Sequence, residues 1–186
     1  VKDGIPEAGA PGVIGRVSPK FLMGFNTSLT VYKFNVSAVF DWKNGGQMYC
    51  GTNGLLDLYG VSTNTLNREG TTIFDGWNAD GTKNTTPITG VVEHQNYYND
   101  LNNIDESSVY DNSFLKLREL AISYPVVQNN FMELRVNAFA RNILIWSKLK
   151  NLDPESTQGN NNMAGSFERF SLPATSSYGL GINVKF

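Results

Sequence analysis

Side chains that ligate metals or carry redox chemistry are nearly missing from this 186-residue sequence, which has one cysteine, Cys50, and one histidine, His94. A lone cysteine makes no internal disulfide. Without a CxxC pair or a Cys/His cluster, a structural zinc site has no ligand set. His94 has no imidazole or thiol partner, and no GxSxG nucleophile motif accompanies it. No pair of carboxylates is placed by spacing for acid–base work, so an enzyme is not expected. Charge is scarce too: 17% of residues are charged and the net charge is −2. That balance lacks the basic patch nucleic acid requires and the polybasic run that draws a protein to anionic lipid. No apolar run approaches the length of a transmembrane helix. The chain opens "VKDGIPEAGAPGVIG", with no initiator Met and no signal peptide, and reads as the C-terminal piece of something larger.

Alternation is abundant. In "YGLGINVKF", Tyr178, Leu180, Ile182, Val184 and Phe186 are apolar, while Gly179, Gly181, Asn183 and Lys185 lie between them. A strand shows its side chains to two faces with period two, so one face here is apolar and the other small or polar. "FLMGFNTSLTV" and "FNVSAVFDW" alternate in the same way, separated by Tyr32 and Lys33, and predict a hairpin. "SFLKLRELAISY" and "MELRVNAFARNILIW" predict a second pair, joined through "PVVQNNF". The expected strands are 20–31, 34–43, 113–125, 132–147 and 177–186.

The connections are lopsided. Two are short, whereas 44–112 and 148–176 are long. Following the chain down and up, the short turns fall at one rim and the long loops at the other. Aromatics mark both rims: Tyr32, Phe34, Tyr124, Phe131 and Phe186 at the short-turn end, and Phe21, Phe40, Trp42, Trp146 and Tyr178 at the long-loop end. Short turns, long loops and two aromatic girdles are the layout of an antiparallel transmembrane β-barrel. The strand lengths suit a tilted crossing of a bilayer. The alternative is a soluble extracellular β-sandwich binding module, whose apolar face would meet a second sheet.

At this point the motifs resemble a family, the SusC/RagA-type TonB-dependent outer-membrane receptors. Four stretches carry the likeness, in order: "VIGRVSPKFLMGFNTSLTVYKFNVSAVFDWKNGGQMYCGT", "VYDNSFLKLRELAISYPV", "FARNILIWSKLKNLDPES" and "YGLGINVKF". "NIL" stands where the family has "NLF", and Leu149 where it has an aromatic. The resemblance implies the last five strands of a 22-strand barrel, with the plug and the TonB-reaching segment absent from these residues. It implies a nutrient importer in the bacterial outer membrane, with extracellular loops, taking up glycan or peptide. The implied partners are a SusD-like surface lipoprotein, TonB through the missing N-terminal part, the barrel-assembly machinery and outer-membrane lipid.

Candidate residues follow. Tyr178, Leu180, Ile182, Val184 and Phe186 are expected to form an assembly signal, read by strand addition to an exposed edge. Asn26, Ser28, Arg135, Asn137 and Arg141 are expected to face the lumen. In the first long loop, Trp77, Tyr97 and Tyr98 are candidates to face a ligand, or to pack the loop on itself or on the lipoprotein that closes over it. "QMYCGTNGLLDLY" carries Met48, Leu55, Leu56 and Tyr59 at helical spacing and suggests a short helix with Cys50 buried and inert. No cofactor is expected. Loop carboxylates such as Asp75, Asp80, Asp100, Asp105, Asp111, Asp153 and Glu155 leave calcium conceivable there, although "DGWNADGT" fails the EF-hand spacing. "DPES", Asp153–Ser156, reads as a turn.

Overall fold

The structure is a computed structural model that describes residues 1–159 and 164–186. Part of the second expected long loop, residues 160–163, lies outside the described residues. In chain order the strands are β1 (Phe21–Val31), β2 (Phe34–Asn44), β3 (Gln47–Cys50), β4 (Thr71–Thr72), β5 (Ile88–Thr89), β6 (Val109–Asp111), β7 (Phe114–Gln128), β8 (Glu133–Ser147), β9 (Phe167–Glu168) and β10 (Ser177–Lys185). Two helices, α1 (Gly51–Leu58) and α2 (Gly90–Leu101), lie in the first long loop. No helix among the described residues is long and apolar enough to cross a membrane, which leaves crossing by strands untouched. The chain divides into two units: a sheet unit (18–47, 111–156, 172–186) and a loop unit (1–17, 48–110, 157–171).

The sheet unit is one antiparallel sheet in the order β1-β2-β7-β8-β10. Its five strands match the expected ones to within a few residues. β1 and β2 pair without interruption from Phe21↔Asn44 to Val31↔Phe34 around a turn in which Tyr32 takes a left-handed conformation (φ 54°). One expectation needs correcting. "PVVQNNF" is not all turn, because β7 runs on through Pro125 to Gln128. Proline donates no ladder hydrogen bond, and the register shifts between Pro125 and Val127, the irregularity at which a strand tolerates it. The turn proper is shorter, with Asn129 Oδ1 accepting from the backbone N–H of Phe131 and Met132 at 3.0 and 2.8 Å.

Directly paired residues share a face. One face collects Met23, Phe25, Leu29, Phe40, Trp42, Leu120, Ile122, Val136, Leu180 and Ile182. The other collects Asn26, Ser28, Ser37, Asn35, Ser123, Asn137 and Asn183. The apolar face is open: Leu180 is 83% exposed, Ile182 69% and Leu29 61%. Among the described residues β1 pairs only with β2, and β10 only with β8, so both edges of the sheet are free. The ring pairs Phe21–Trp42 (4.9 Å) and Phe34–Tyr124 (4.7 Å) sit at its opposite ends.

The loop unit has an ordinary core. Met48, Cys50, Ile88 and Tyr98 are buried, with His94, Thr65 and Glu168 among them. The strands β6-β3-β9 form a small sheet, β9 lying parallel to β3, and β4 pairs with β5. The suggested helix exists, but only from Gly51, after Gln47–Cys50 has formed a strand. Gly54 is needed there: a Cβ would lie 2.7 Å from Asn102 Oδ1 and 3.1 Å from Ser108 Oγ.

Candidate functional site

Three surfaces carry chemistry. The first is the polar face of the sheet. Asn26, Ser28, Arg135, Asn137 and Arg141 all stand on it, as the register shows. Polar side chains knit its strands together. Asn35 Nδ2 donates to Ser28 Oγ and Thr30 Oγ1, both at 3.1 Å, and Arg141 Nε donates to Glu119 Oε2 at 2.7 Å. Asn183 Nδ2 donates to Asn137 Oδ1 at 3.2 Å. The glycines of the last strand have a reason on this face. A Cβ on Gly179 would lie 2.4 Å from Phe139 Cζ, and one on Gly181 would lie 2.8 Å from the Asn137 amide. Phe139 and Asn137 therefore lie over the bare backbone of β10, and the Arg141 guanidinium sits 4.9 Å from the Phe139 ring.

The same face holds an ion-pair network that the sequence reading missed. Lys116, only 4% exposed, donates to Asp153 Oδ1 at 2.7 Å and to Glu155 Oε2 at 2.6 Å. Arg118 forks onto both Glu155 oxygens and reaches Asp41 Oδ2 with its Nε at 2.7 Å. "DPES" is a turn, as expected, yet it is also the anionic half of this network. Burial pushes the Asp153 carboxyl up, but the Lys116 ammonium and the backbone N–H groups of Ala174 and Glu155 outweigh it and hold it below its ordinary value. Burial also pushes Glu155 up, and Arg118 and Lys116 outweigh it in the same way. One signal was available: in "FLKLREL" two cations interrupt an apolar alternation.

The second surface is the loop unit's aromatic group. Tyr97 stacks on Phe74 with ring centroids 3.5 Å apart and planes 8° from parallel. Tyr98 meets both rings edge-on, at 5.9 and 5.3 Å. It is 7% exposed and its hydroxyl donates to Asn64 O at 2.9 Å, so it supports this group from beneath. Trp77 is 66% exposed on a small hairpin bridged to Lys83. The structure thus brings Tyr97 and Tyr98 together in one cluster and places Trp77 on the hairpin. His94 is structural: one ring nitrogen lies 2.8 Å from Gly90 O and the other 3.0 Å from Thr72 Oγ1. "DGWNADGT" forms a tight turn in which Asp80 Oδ1 accepts from the Thr82 N–H and hydroxyl. Among the described residues no group of three or more His, Cys, Asp or Glu side chains is placed to hold a metal ion.

α2 was also missed, and it positions this group. Val91, His94, Tyr98 and Leu101 repeat at helical spacing, and Glu93 reaches back to the backbone N–H of Thr89 at 2.7 Å.

The third surface is the terminal strand. Tyr178, Leu180, Ile182 and Val184 line the apolar face of β10, 47–83% exposed, and Phe186 just beyond it is 93% exposed.

No family model matches this sequence. A curated protein does: over 184 residues, 94% of the chain, it is 25% identical to TonB-dependent receptor P3 of Formosa agariphila. The chain is a homologue of a TonB-dependent receptor. It spans 17% of that receptor's length. Solved structures of the RagAB peptide importer share its fold. The closed-closed state superposes with a TM-score of 0.57 at 21% identity, covering 89% of this chain and 17% of the importer chain. The open-open state gives 0.57 over 91% of this chain, again covering 17% of the other. The mostly antiparallel strands with few helices share the fold of part of that importer chain.

Proposed function

We propose that this chain is barrel wall and outer-mouth loop of a TonB-dependent nutrient importer in the bacterial outer membrane, forming its last five strands. The observation that carries the reading is the inverted sheet. Its apolar side chains stand open on one face while Lys116 is buried against the other. Water does not tolerate so large a contiguous apolar face, and lipid does. The sandwich alternative needs a cover over that face, whereas Leu180 and Ile182 are 83% and 69% exposed.

In this reading the apolar face meets lipid, and Asn26, Ser28, Arg135, Asn137 and Arg141 line the lumen or meet a plug. The free edges of β1 and β10 pair with strands supplied by the rest of the barrel. Tyr178, Leu180, Ile182, Val184 and Phe186 serve as the strand read during barrel assembly. Trp77 and Tyr97 stand in loops that face the outside, where a surface lipoprotein would cover them, and the cargo is peptide or glycan. The barrel accounts for the sheet without any catalytic step.

The test has two parts. The receptor that carries this chain should fractionate with outer membranes and migrate on gels in a heat-modifiable way. Cells should lose uptake of labelled oligopeptide or oligosaccharide when TonB is removed. Recovery of the chain as a soluble, heat-insensitive monomer would overturn the reading.

A further inference from the structure

The last strand has no turn to set its register. In a hairpin the turn fixes which residues pair, but β10 follows β8 only after residues 148–176. Apolar alternation fixes the parity of the pairing, because a one-residue slip would turn Leu180 and Ile182 onto the polar face. It does not exclude a slip of two residues, which keeps every side chain on its own face. Gly179 and Gly181, bare beneath Phe139 and Asn137, disfavour both slips, since each brings Ser177 or Asn183 under one of those side chains, but they act only once the ladder has formed, and something must start it at the right offset.

The structure assigns that role to the Asp153–Ser156 turn seated on Lys116 and Arg118. The turn is anchored below. Pro154 is among the fully buried side chains, and the two carboxylates beside it hold the two cations of β7. It grips the lead-in to β10 above. Asp153 Oδ2 accepts from the backbone N–H of Ala174 at 2.9 Å, and Ser156 Oγ donates to Leu172 O at 2.8 Å. The next residues are fastened to β8 itself. Asn142 Nδ2 donates to Thr175 O at 3.2 Å, and Ser176 Oγ donates to Asn142 O at 2.7 Å. Asn142 sits in a left-handed conformation, φ 51°, which breaks the regular repeat of β8 and makes this a single place along the strand. Ser177 then pairs with Arg141, and the remaining pairs of β10 follow. Residues 172–176 are thus held at a fixed distance from both β7 and β8 before the ladder begins. The Asp153–Glu155 carboxylates act as a clamp that selects the offset, with Lys116 and Arg118 as positioning residues.

The test rests on the barrel reading and can fail separately from it. In the receptor that carries this chain, with Cys50→Ala, Ala138→Cys is combined with Leu180→Cys for the observed offset, or with Tyr178→Cys or Ile182→Cys for the two slipped ones. Directly opposed residues lie about 4.5–5.5 Å apart and diagonal ones about 7–8 Å, so oxidation to a disulfide separates the offsets. The clamp variant is Asp153→Asn with Glu155→Gln. Ser156→Ala is a milder variant, and Lys148→Gln removes the Lys148–Asp111 ion pair of the same unit, which does not touch the lead-in. The expected result is predominantly 138–180 cross-linking in the unaltered clamp and in Lys148→Gln. That yield should fall at least threefold in the clamp variant, with a slipped pair rising, and Ser156→Ala should shift the same way by less. If the clamp variant does not reach the membrane, Ser156→Ala decides. Equal 138–180 yields in all variants, or an equal fall in Lys148→Gln, would overturn the clamp. An unaltered receptor absent from the outer membrane would instead overturn the barrel reading.

Discussion

The loop unit and the sheet unit both bury apolar side chains, Phe114, Leu117 and Leu149 in the sheet unit among them, but they differ in what they leave open. In the loop unit Met48, Cys50, Ile88 and Tyr98 are inside, and its ion pair Lys83–Asp75 is out in the open at 64% and 87% side-chain exposure. In the sheet unit Leu180 and Ile182 are open, and Lys116 and Asp153 are inside at 6% and 10% side-chain exposure. The same amino-acid types appear in both, and in the proposed barrel the difference follows from the solvent each unit meets. A water-facing unit hides apolar surface. A wall between lipid and an aqueous lumen shows it, and hides its charges among one another.

The largest test of that contrast places a charge on each outside. Leu180→Arg on the apolar face should cost about 2–4 kcal/mol near the bilayer midplane, enough to remove most of the inserted, heat-modifiable receptor from the membrane. Leu66 in the loop unit is just as open, at 79%. Leu66→Arg should change stability by no more than about 0.5 kcal/mol and leave insertion intact. Equal tolerance at both positions would break the comparison.

Next comes removal of one cation from each unit. Lys116→Ala leaves Asp153 unpaired beneath the turn. Arg118 still holds Glu155, so the loss should be roughly 2–3 kcal/mol, below the full figure for a broken buried pair. Lys83→Ala removes an exposed partner of Asp75 and should cost about 0–1 kcal/mol. Midpoints of thermal unfolding, followed by gel mobility, compare the two.

The two units were unequally legible in the sequence. Period-two alternation announces a half-solvated strand directly, so all five long strands and their faces could be read, and the structure moves their ends by only a few residues. The expected strand stopped at Pro125, whereas an irregularity there lets β7 run on to Gln128. The network of Lys116 with Asp153 and Glu155 joins residues nearly forty positions apart, and nothing local couples them. Within the loop unit, α2 was hidden by Gly90 at its start and by polar residues around a narrow apolar stripe. Tyr98 and Tyr97 look alike in sequence. Only the fold shows one hydroxyl spent on Asn64 O and the other ring stacked on Phe74.

The carboxylates of the sheet unit also predict a pH response. Burial pushes Asp153 and Glu155 up, but their cations outweigh it and hold both below their ordinary values. A carboxylate depressed in the folded state contributes stability above its unfolded pKa, near 4, and loses it as the pH falls through the lower folded value. The turn should therefore hold unchanged from pH 8 to pH 5 and loosen only under about pH 4. Hydrogen-exchange protection of the Glu155 and Ala174 amides reads this. A loss of protection between pH 7 and 5 would show that the cations do not govern these groups.

The smallest effect sharpens the contrast by reversing it. Cys50 is wholly buried in the loop unit, and burial, aided by the Glu168 charge, pushes its thiol up to about 12. The thiolate is the reactive form, so Cys50 should resist alkylation at neutral pH until the receptor is denatured. A cysteine placed at Leu180 would stand on an open face, and in the proposed barrel lipid rather than water would surround it. It too should resist a charged maleimide, but it should react with a lipid-soluble one, whereas Cys50 reacts with neither. Mass spectrometry of the two cysteine-bearing peptides after each reagent separates the cases. Reaction of Leu180→Cys with the charged reagent would place that face in water and remove the ground for calling the sheet inverted.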